Sequence, residues 1–357
     1  MKIKISENRI WSLVIFAFLT KLLFFFYLKW FPSDEPMFGG GNDADYYHGY
    51  ALGYYETVTS IWPIILRFLN EVNLYDREKL TYILFGTSII LLPYLYYQVV
   101  KIKNYEFNLV KASSILLVIF YPSIFFYTID IYRDIFMFLI LLICFIFYKK
   151  VLESNKAIGY FYFLIFLILS YFLFLLREYL GIALILSPFV YLILLKTKKY
   201  IKTWIVVYIA ILILLKIFGK LDEVLNYREI FSTGGTTIGI KLLDQNSFMF
   251  LFYYLYSLIV QLFGLFFVNL LSIFVFILES VPFTYAFIYL IKNIKFMDKF
   301  VIFLLTFFVI YTSIWLLGND NLGTATRLRI PSYLVIFASM FIVYQRKIIT
   351  DYKTKKD

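Results

Sequence analysis

The sequence predicts an all-α membrane protein, a polytopic helical bundle of about ten transmembrane helices. Hydrophobic residues make up 62% of the 357 residues, and long apolar runs recur from end to end with short lysine clusters between them. A helix needs about 20 apolar residues to cross the hydrocarbon core, where every backbone polar group must be paired internally. We therefore expect a single membrane domain over residues 1–357.

Ten stretches are predicted to span the membrane in alternating directions. They are residues 9–30, 80–100, 107–130, 133–148, 159–176, 179–195, 203–218, 266–290, 300–317 and 330–345. The first is interpreted as a retained span, because it lacks a small-residue cleavage site. Residues 248–264 are predicted to lie at the interface or to re-enter the membrane, and a full crossing there would give eleven spans. Pro122 is expected to bend the third span.

Two long connecting segments are predicted on the outer side of the membrane, at residues 31–79 and 219–247. Lysines cluster at residues 101–103, 149–150, 196–202, 292–299 and 347–356, which is typical of cytoplasmic loops and predicts that both termini are cytoplasmic. Within the first outer loop, residues 60–72 alternate apolar and polar side chains like a short interfacial helix. The same lysine pattern accounts for the net charge of +11, so nucleic acid is not a predicted partner.

The arginines are distributed differently, because seven of the nine fall on the predicted outer side. Topology requires only positive charge, whereas a planar guanidinium can bind a phosphate or carboxylate through two parallel hydrogen bonds. The alternative is that Arg133–Asp134 and Arg177–Glu178 are adjacent structural ion pairs at helix ends. The predicted phosphate-binding residues are Arg133, Arg177, Arg228, Arg327 and Arg329.

Carboxylates and aromatic side chains concentrate in the first outer loop. Asp43 and Asp45 lie between a run of glycines and two tyrosines. A carboxylate in this setting could deprotonate an acceptor hydroxyl or hold a metal ion that bridges a diphosphate. His48 is a second candidate base, with an ordinary hydrogen-bonded loop residue as the alternative. The predicted catalytic residues are Asp34, Glu35, Asp43 and Asp45, and the predicted sugar contacts are Tyr46, Tyr47 and His48.

Three segments resemble the membrane-embedded glycosyltransferases of the GT-C type, which include bacterial O-antigen and capsule polymerases. They are Asp34-Glu35 with DADYYH beyond them, YPSIFFYTIDIYRD at 121–134, and GTATRLRIP at 323–331. A fourth feature is similar to the polymerases in particular, since Arg228 is followed eleven positions later by Gly239 in a large outer loop. The resemblance implies a GT-C-like bundle.

The resemblance also implies an enzyme of bacterial surface-polysaccharide synthesis at the outer face of the inner membrane. It would polymerise undecaprenyl-diphosphate-linked repeat units of O-antigen or capsule. The implied partners are the undecaprenyl-linked glycan donor and acceptor, the lipid bilayer and other polysaccharide-assembly membrane proteins. No cofactor is required in this interpretation.

Three other interpretations stay open at this point. A GT-C transferase could move a single sugar from a polyprenyl phosphate, with a divalent metal at Asp34, Glu35 or Asp43. A flippase or transporter of lipid-linked sugars would need ionisable residues near the middle of several spans. A membrane scaffold would need no chemistry.

Overall fold

The computed structural model describes residues 7–31, 41–58, 60–196, 201–230 and 236–354. Within these ranges the regular structure is helical, and the only extended pairing is an isolated bridge between Thr237 and Asn321. The predicted all-α class is therefore confirmed. The helices are α1 (Glu7–Trp30), α2 (Gly41–Ala51), α3 (Ile61–Glu71), α4 (Arg77–Gly86), α5 (Leu92–Val100), α6 (Asn108–Phe120), α7 (Pro122–Phe126), α8 (Arg133–Glu153), α9 (Lys156–Leu176), α10 (Glu178–Lys196), α11 (Ile201–Ile217), α12 (Asp222–Ile230), α13 (Ser247–Leu262), α14 (Leu270–Val275), α15 (Val281–Lys292), α16 (Lys299–Gly318) and α17 (Leu322–Lys353).

Two spans are built from pairs of these helices. A π-helical turn, Thr87–Leu91, joins α4 to α5, and a second, Phe276–Ser280, joins α14 to α15. The joined helices Arg77–Val100 and Leu270–Lys292 have 24 and 23 residues. Each is therefore long enough to cross a bilayer as one unit.

The described part of the chain contains eight helices that are long and apolar enough to cross a membrane. Three shorter apolar segments accompany them, Asn108–Phe120, Val206–Ile217 and Ser247–Leu262. The chain is a multi-pass membrane protein. The eight long helices and the first two short ones correspond to the ten predicted spans, and the third short one corresponds to the predicted interfacial or re-entrant piece.

The third predicted span is shorter than expected, and its break has a local cause. Helix α6 ends at Phe120, Tyr121 is extended with a ψ of 110°, and α7 begins at Pro122. A proline ring disfavours helical geometry in the preceding residue and removes one backbone donor. The predicted bend at Pro122 is therefore a complete interruption of the helix.

Helices make up much of the described part of the first predicted outer loop. Helix α3 lies inside the stretch predicted as an interfacial helix, and its buried residues are Trp62, Pro63 and Leu66. The acidic segment 41–51 forms α2, although the sequence was interpreted as loop there. Asp43 in its first turn is favoured by the partial positive charge of a helix N-terminus. The second predicted loop, 219–247, also contains a helix, α12.

The chain divides into two compact units. The first unit comprises Met1–Gly181, Tyr289–Val301 and Phe337–Asp357, and the second comprises Ile182–Ile288 and Ile302–Ile336. The single domain over residues 1–357 stays a prediction.

The lysine-rich ends of several helices lie together in the first unit. Lys149 near the end of α8 donates hydrogen bonds from Nζ to the carbonyls of Gln98 and Val99, at 3.3 and 3.0 Å. Gln345 of α17 donates to the carbonyl of Val100 at 2.9 Å. These bonds satisfy carbonyls at the C-terminal end of α5 that have no partner within the helix. The predicted alternation of helix directions agrees with this arrangement.

The second unit has an aromatic and polar core. The ring of Phe283 stacks on Tyr333 with centroids 3.9 Å apart. The hydroxyl of Tyr333 donates to the carbonyl of Leu262 at 2.6 Å, and that of Tyr311 donates to the carbonyl of Leu328 at 2.8 Å. Buried tyrosine hydroxyls need such partners, because an unpaired polar group is costly inside a membrane protein.

Candidate functional site

Three distant parts of the sequence meet around Arg77 in the first unit. Arg77 is the first residue of α4, and its Nη2 donates to a carboxylate oxygen of Asp45 on α2 at 2.8 Å. Its Nε and Nη2 donate to the two carboxylate oxygens of Asp130 at 2.9 and 2.5 Å. Asp130 lies in the short turn between α7 and α8. We call Asp45, Arg77 and Asp130 the acid–arginine cluster.

The two carboxylates of the cluster differ in their surroundings. The Asp45 side chain is 70% exposed, whereas that of Asp130 is 25% exposed. Asp130 also accepts a hydrogen bond from the backbone N–H of Ile131 at 2.8 Å, so it is fixed within its turn. Asp45 can therefore meet a ligand from solvent, while Asp130 orients the guanidinium of Arg77.

Further charge surrounds the cluster. Lys29, half-buried in the last turn of α1, lies within electrostatic range of Arg77, Glu78 and Asp130. The Nη1 of Arg77 donates to no acceptor in the part of the chain that the structure describes. The guanidinium of Arg77 is thus placed to interact with an anion that approaches Asp45, and Lys29 adds positive charge near Arg77 and Asp130.

The N-terminus of α4 is fixed by its own cap. The Asp76 carboxylate accepts the backbone N–H of Lys79 at 2.9 Å, which holds the pKa of Asp76 below its ordinary value. An aspartate in this position satisfies one of the free N–H groups of the first turn. The cap therefore fixes the helix start at which Arg77 is placed.

The predicted sugar-contact residues occupy the rest of α2. Nδ1 of His48 lies 2.8 Å from the hydroxyl of Tyr75, and burial raises the pKa of that hydroxyl to about 12. Tyr46 donates from its hydroxyl to the carbonyl of Thr57 at 2.6 Å, and Tyr47 is buried. His48 and Tyr46 therefore have protein partners, and a sugar contact by Tyr47 would need movement of its ring. Their roles as sugar contacts stay predictions.

Arg133 and Arg177 connect the beginning of α8 with the end of α9 in the first unit. Arg133 donates from Nη1 to the carbonyl of Leu176 at 2.9 Å, at the end of α9. Arg177 lies with its Nη1 3.7 Å from the carboxylate of Asp134, and both side chains are buried. The ion pair thus joins residues 43 positions apart, and Glu178 is exposed. The alternative of adjacent pairs, Arg133–Asp134 and Arg177–Glu178, misses this connection because it considers only neighbours in sequence.

The second unit holds Arg228, Arg327 and Arg329. Arg228 is buried and uses all five N–H groups on protein acceptors: the carbonyls of Ile240, Leu316 and Asn319, the hydroxyl of Ser257 and the carboxylate of Asp320. A phosphate could bind Arg228 only by replacing some of these bonds. The role of Arg228 as a diphosphate-binding residue stays a prediction.

Arg329 is also buried against protein groups. Its Nη2 lies 3.4 Å from the carboxylate of Glu279 in the second π-helical turn, and its guanidinium lies over the ring of Tyr333. Arg327 is buried as well, on α17. A diphosphate contact by Arg327 or Arg329 stays a prediction.

The structure therefore divides the predicted site residues between the two units. Asp43, Asp45, His48, Arg133 and Arg177 belong to the first unit, and the other three arginines belong to the second. Asp34 and Glu35 lie outside the described residues. Among the residues that are described, no group of three or more His, Cys, Asp or Glu side chains is arranged to hold a metal ion.

Sequence reasoning missed Arg77, Asp130 and Lys29. Arg77 belongs to the seven arginines on the predicted outer side, and Asp130 lies within the segment TIDIYRD. Arg77 lies 32 positions after Asp45 and 53 positions before Asp130, so sequence spacing alone could not connect the three residues.

No family model, no curated protein and no solved structure matches this chain.

Proposed function

We propose that the chain is a glycosyltransferase of bacterial surface-polysaccharide assembly. It polymerises undecaprenyl-diphosphate-linked repeat units of O-antigen or capsule at the outer face of the inner membrane, with both termini in the cytoplasm. The partners are the lipid-linked donor and acceptor glycans, the bilayer and other membrane proteins of polysaccharide assembly.

The acid–arginine cluster carries this proposal. It combines an exposed carboxylate, Asp45, with a guanidinium that keeps one nitrogen, Nη1, available. Lys29 adds a second cation nearby. A glycosyl transfer from a lipid diphosphate needs this combination, because a base must take a proton while negative charge develops on the departing phosphate.

The chemistry assigns a role to each group. The acceptor hydroxyl oxygen attacks the anomeric carbon of the donor glycan, and its proton passes to the Asp45 carboxylate. The bond between the anomeric carbon and the phosphate oxygen breaks, and the undecaprenyl diphosphate leaves with the bonding electron pair. Arg77 and Lys29 stabilise that charge, and Asp130 orients Arg77 through its paired hydrogen bonds.

A carrier of lipid-linked sugars is the second candidate, and one observation favours it. The buried pair Glu279–Arg329 places two ionisable groups inside apolar spans, which is typical of transport pathways. The exposed position of Asp45 favours the enzyme instead, because a transport path does not need an accessible base.

The test is complementation of a deletion strain with Asp45→Asn, followed by separation of the surface polysaccharide on a gel. The expected result is a ladder that collapses to one repeat unit on its lipid acceptor, with normal protein abundance. Loss of the repeat unit itself would instead assign the chain to single-sugar transfer or to flipping. A ladder unchanged from wild type would contradict the proposed base.

Glu71→Gln is the matched control for this experiment. Glu71 is an exposed carboxylate on α3, paired with Arg67 one helical turn away at 3.8 Å, and it lies in the same part of the chain. The change removes one negative charge, as Asp45→Asn does, without touching the acid–arginine cluster. The ladder is expected to keep its wild-type length.

A further inference from the structure

An open groove of about 420 Å³ lies between α5 and the beginning of α6 in the first unit. One part of its lining is apolar or aromatic, with Ile90, Pro93 and Tyr94. The other part carries Tyr97, Lys101 and Lys111. The volume is in the range of pockets that bind small molecules, about 300–1,000 Å³.

The shape of the helix at the groove follows from its sequence. Pro93 has no backbone N–H, and its ring would crowd the carbonyl four residues earlier in a regular α-helix. The preceding turn, Thr87–Leu91, is π-helical, and the N–H of Leu92 bonds to the carbonyl of Thr87. Such turns accommodate irregular positions within helices and are frequent at functional sites. Pro93 therefore stands in the groove wall without breaking the span.

The cationic end of the groove carries a net positive charge. The ammonium of Lys111 lies over the ring of Tyr97, 5.6 Å from its centroid. Lys101 lies 3.8 Å from the carboxylate of Glu106, which is 76% exposed. An exposed pair of this kind contributes little and is easily separated. Two lysines and one glutamate give this end of the groove a net positive charge, so the complementary ligand is an anion.

The apolar wall is exposed on the surface of the first unit. Ile90 is 66% exposed and Tyr94 is 56% exposed, on a helix that crosses the membrane. The span ends at Val100, so Lys101 stands directly at its end. A ligand that fills the groove thus meets hydrocarbon at one end and lysines at the other. This arrangement matches a phospholipid, whose charged head group adjoins its acyl chains.

We propose that this groove binds an anionic phospholipid. The phosphate lies between Lys101 and Lys111, and an acyl chain follows Ile90, Pro93 and Tyr94. The site lies at the lysine-rich end of the first unit, where Lys149 and Gln345 bind the last carbonyls of α5, and it is distinct from the acid–arginine cluster.

The test measures lipid binding to the purified full-length protein by native mass spectrometry, with phosphatidylglycerol and phosphatidylcholine as probes. Wild-type protein is expected to bind phosphatidylglycerol more tightly. The double variant Lys101→Gln/Lys111→Gln is expected to lose about 30-fold in phosphatidylglycerol affinity, since each lysine near a lipid surface contributes about a factor of five. Its phosphatidylcholine affinity is expected to stay unchanged.

Three further variants separate the contributions. Lys101→Arg/Lys111→Arg keeps both charges and is expected to retain binding. Lys103→Gln removes a neighbouring exposed lysine outside the groove and is also expected to retain it. Ile90→Gln is expected to weaken both lipids, because it places an amide in the apolar wall.

Three results would overturn the proposal. The first is equal affinity of wild-type protein for the two lipids. The second is a loss in Lys103→Gln as large as in the double glutamine variant. The third is release of phosphatidylglycerol by millimolar inorganic phosphate, which would indicate a site for small anions.

Discussion

Arg228 and Gly239, eleven positions apart, donate hydrogen bonds to the two oxygens of one carboxylate, that of Asp320. The bond from the Gly239 N–H is 2.9 Å long, and Gly239 has a φ of +73°. Asp320 lies two residues before Leu322, the first residue of α17. The spacing of arginine and glycine therefore has a structural explanation, in which both residues fix the turn before a long helix.

Asp320→Asn is expected to destabilise the protein strongly. The change leaves the buried guanidinium of Arg228 without its carboxylate, and breaking a buried ion pair costs about 3–5 kcal/mol. Thermal unfolding in detergent, followed by far-UV circular dichroism, measures the effect, because Asp320 lies in the second unit and the single buried Cys144 lies in the first. Asp244→Asn, at an exposed aspartate of the same unit, is the control and should melt like wild type.

Asp45→Asn is expected to change stability by less than about 1 kcal/mol, in contrast to its expected effect on the polysaccharide. An exposed ion pair contributes about 0–1 kcal/mol. Asp130→Asn should cost more, since Asp130 is less exposed and also accepts the backbone N–H of Ile131. Labelling of the buried Cys144 by a thiol-reactive dye during thermal unfolding compares the two variants, because all three residues lie in the first unit. Equal losses of stability in the two variants would contradict the assignment of Asp45 as the accessible carboxylate and Asp130 as the carboxylate that orients Arg77.

Three glycine variants should form a graded series in stability. Gly86→Ala is expected to be neutral or stabilising by up to about 1 kcal/mol, because no atom lies within 4 Å of the new Cβ. Gly239→Ala should cost about 1–2 kcal/mol from the positive φ alone. Gly264→Ala should cost the most. Its φ is +67°, and the new Cβ would collide with Arg329 Nη1 and Ser280 Oγ.

The test of this prediction is the order of the melting temperatures of the three variants. Melting temperatures of the three proteins are measured under one set of conditions in detergent. A Gly264 variant as stable as the Gly86 variant would show that Arg329 can move away from its position, and the close packing around its ion pair with Glu279 would be refuted.

Tyr75 is expected to make stability sensitive to alkaline pH. Burial raises its pKa to about 12, above the ordinary tyrosine value of about 10. Between these values the unfolded chain has lost the proton while the folded chain retains it. The stabilisation is therefore complete below about pH 10 and is lost as the pH rises towards 12.

The measurement compares wild type with Tyr75→Phe over this pH range. The stability difference between the two proteins should be constant below about pH 10 and should shrink above it. Tyr54→Phe, at a tyrosine that is 75% exposed, controls for the loss of a hydroxyl. A difference that stays constant to high pH would contradict the burial of the Tyr75 hydroxyl.

Single-cysteine labelling should establish the orientation of the chain. Cys144 is buried and gives little background, so a new cysteine can be followed alone. Tyr54→Cys, on the predicted outer side, should react with an impermeant maleimide in intact spheroplasts. Lys103→Cys, in a predicted cytoplasmic loop, should react only after lysis. The reverse pattern would invert the topology and place the acid–arginine cluster in the cytoplasm.

The fold was largely predictable because hydropathy and lysine distribution are local properties. The break at Pro122 was predictable for the same reason, because a proline restricts the backbone of the preceding residue in any fold. The π-helical turns at Thr87–Leu91 and Phe276–Ser280 were not predicted, because they depend on how a whole span packs.

The site was less predictable because its contacts are long-range. The sequence indicated Asp45 through its glycine and tyrosine neighbours, whereas Arg77 and Asp130 became recognisable only when α2, α4 and the turn after α7 came together. The partner of Arg177 is Asp134 on another helix, although Glu178 is the adjacent residue. Spacing indicated that arginines were concentrated on one side, but it could not indicate which acids they bind.

In the predicted topology, Lys149 carries out two tasks at different times in the life of the protein. A lysine that flanks a span helps to retain that end in the cytoplasm while the chain is being inserted. In the folded state the same ammonium is bound to the final carbonyls of α5. Neutralising Lys149 would therefore disturb both biosynthesis and the finished fold, whereas neutralising Lys150, which is exposed and packs over the rings of Phe147 and Tyr162, would disturb mainly the first. Two lysines that contribute equally to the orientation of the chain can thus contribute unequally to the stability of the folded protein.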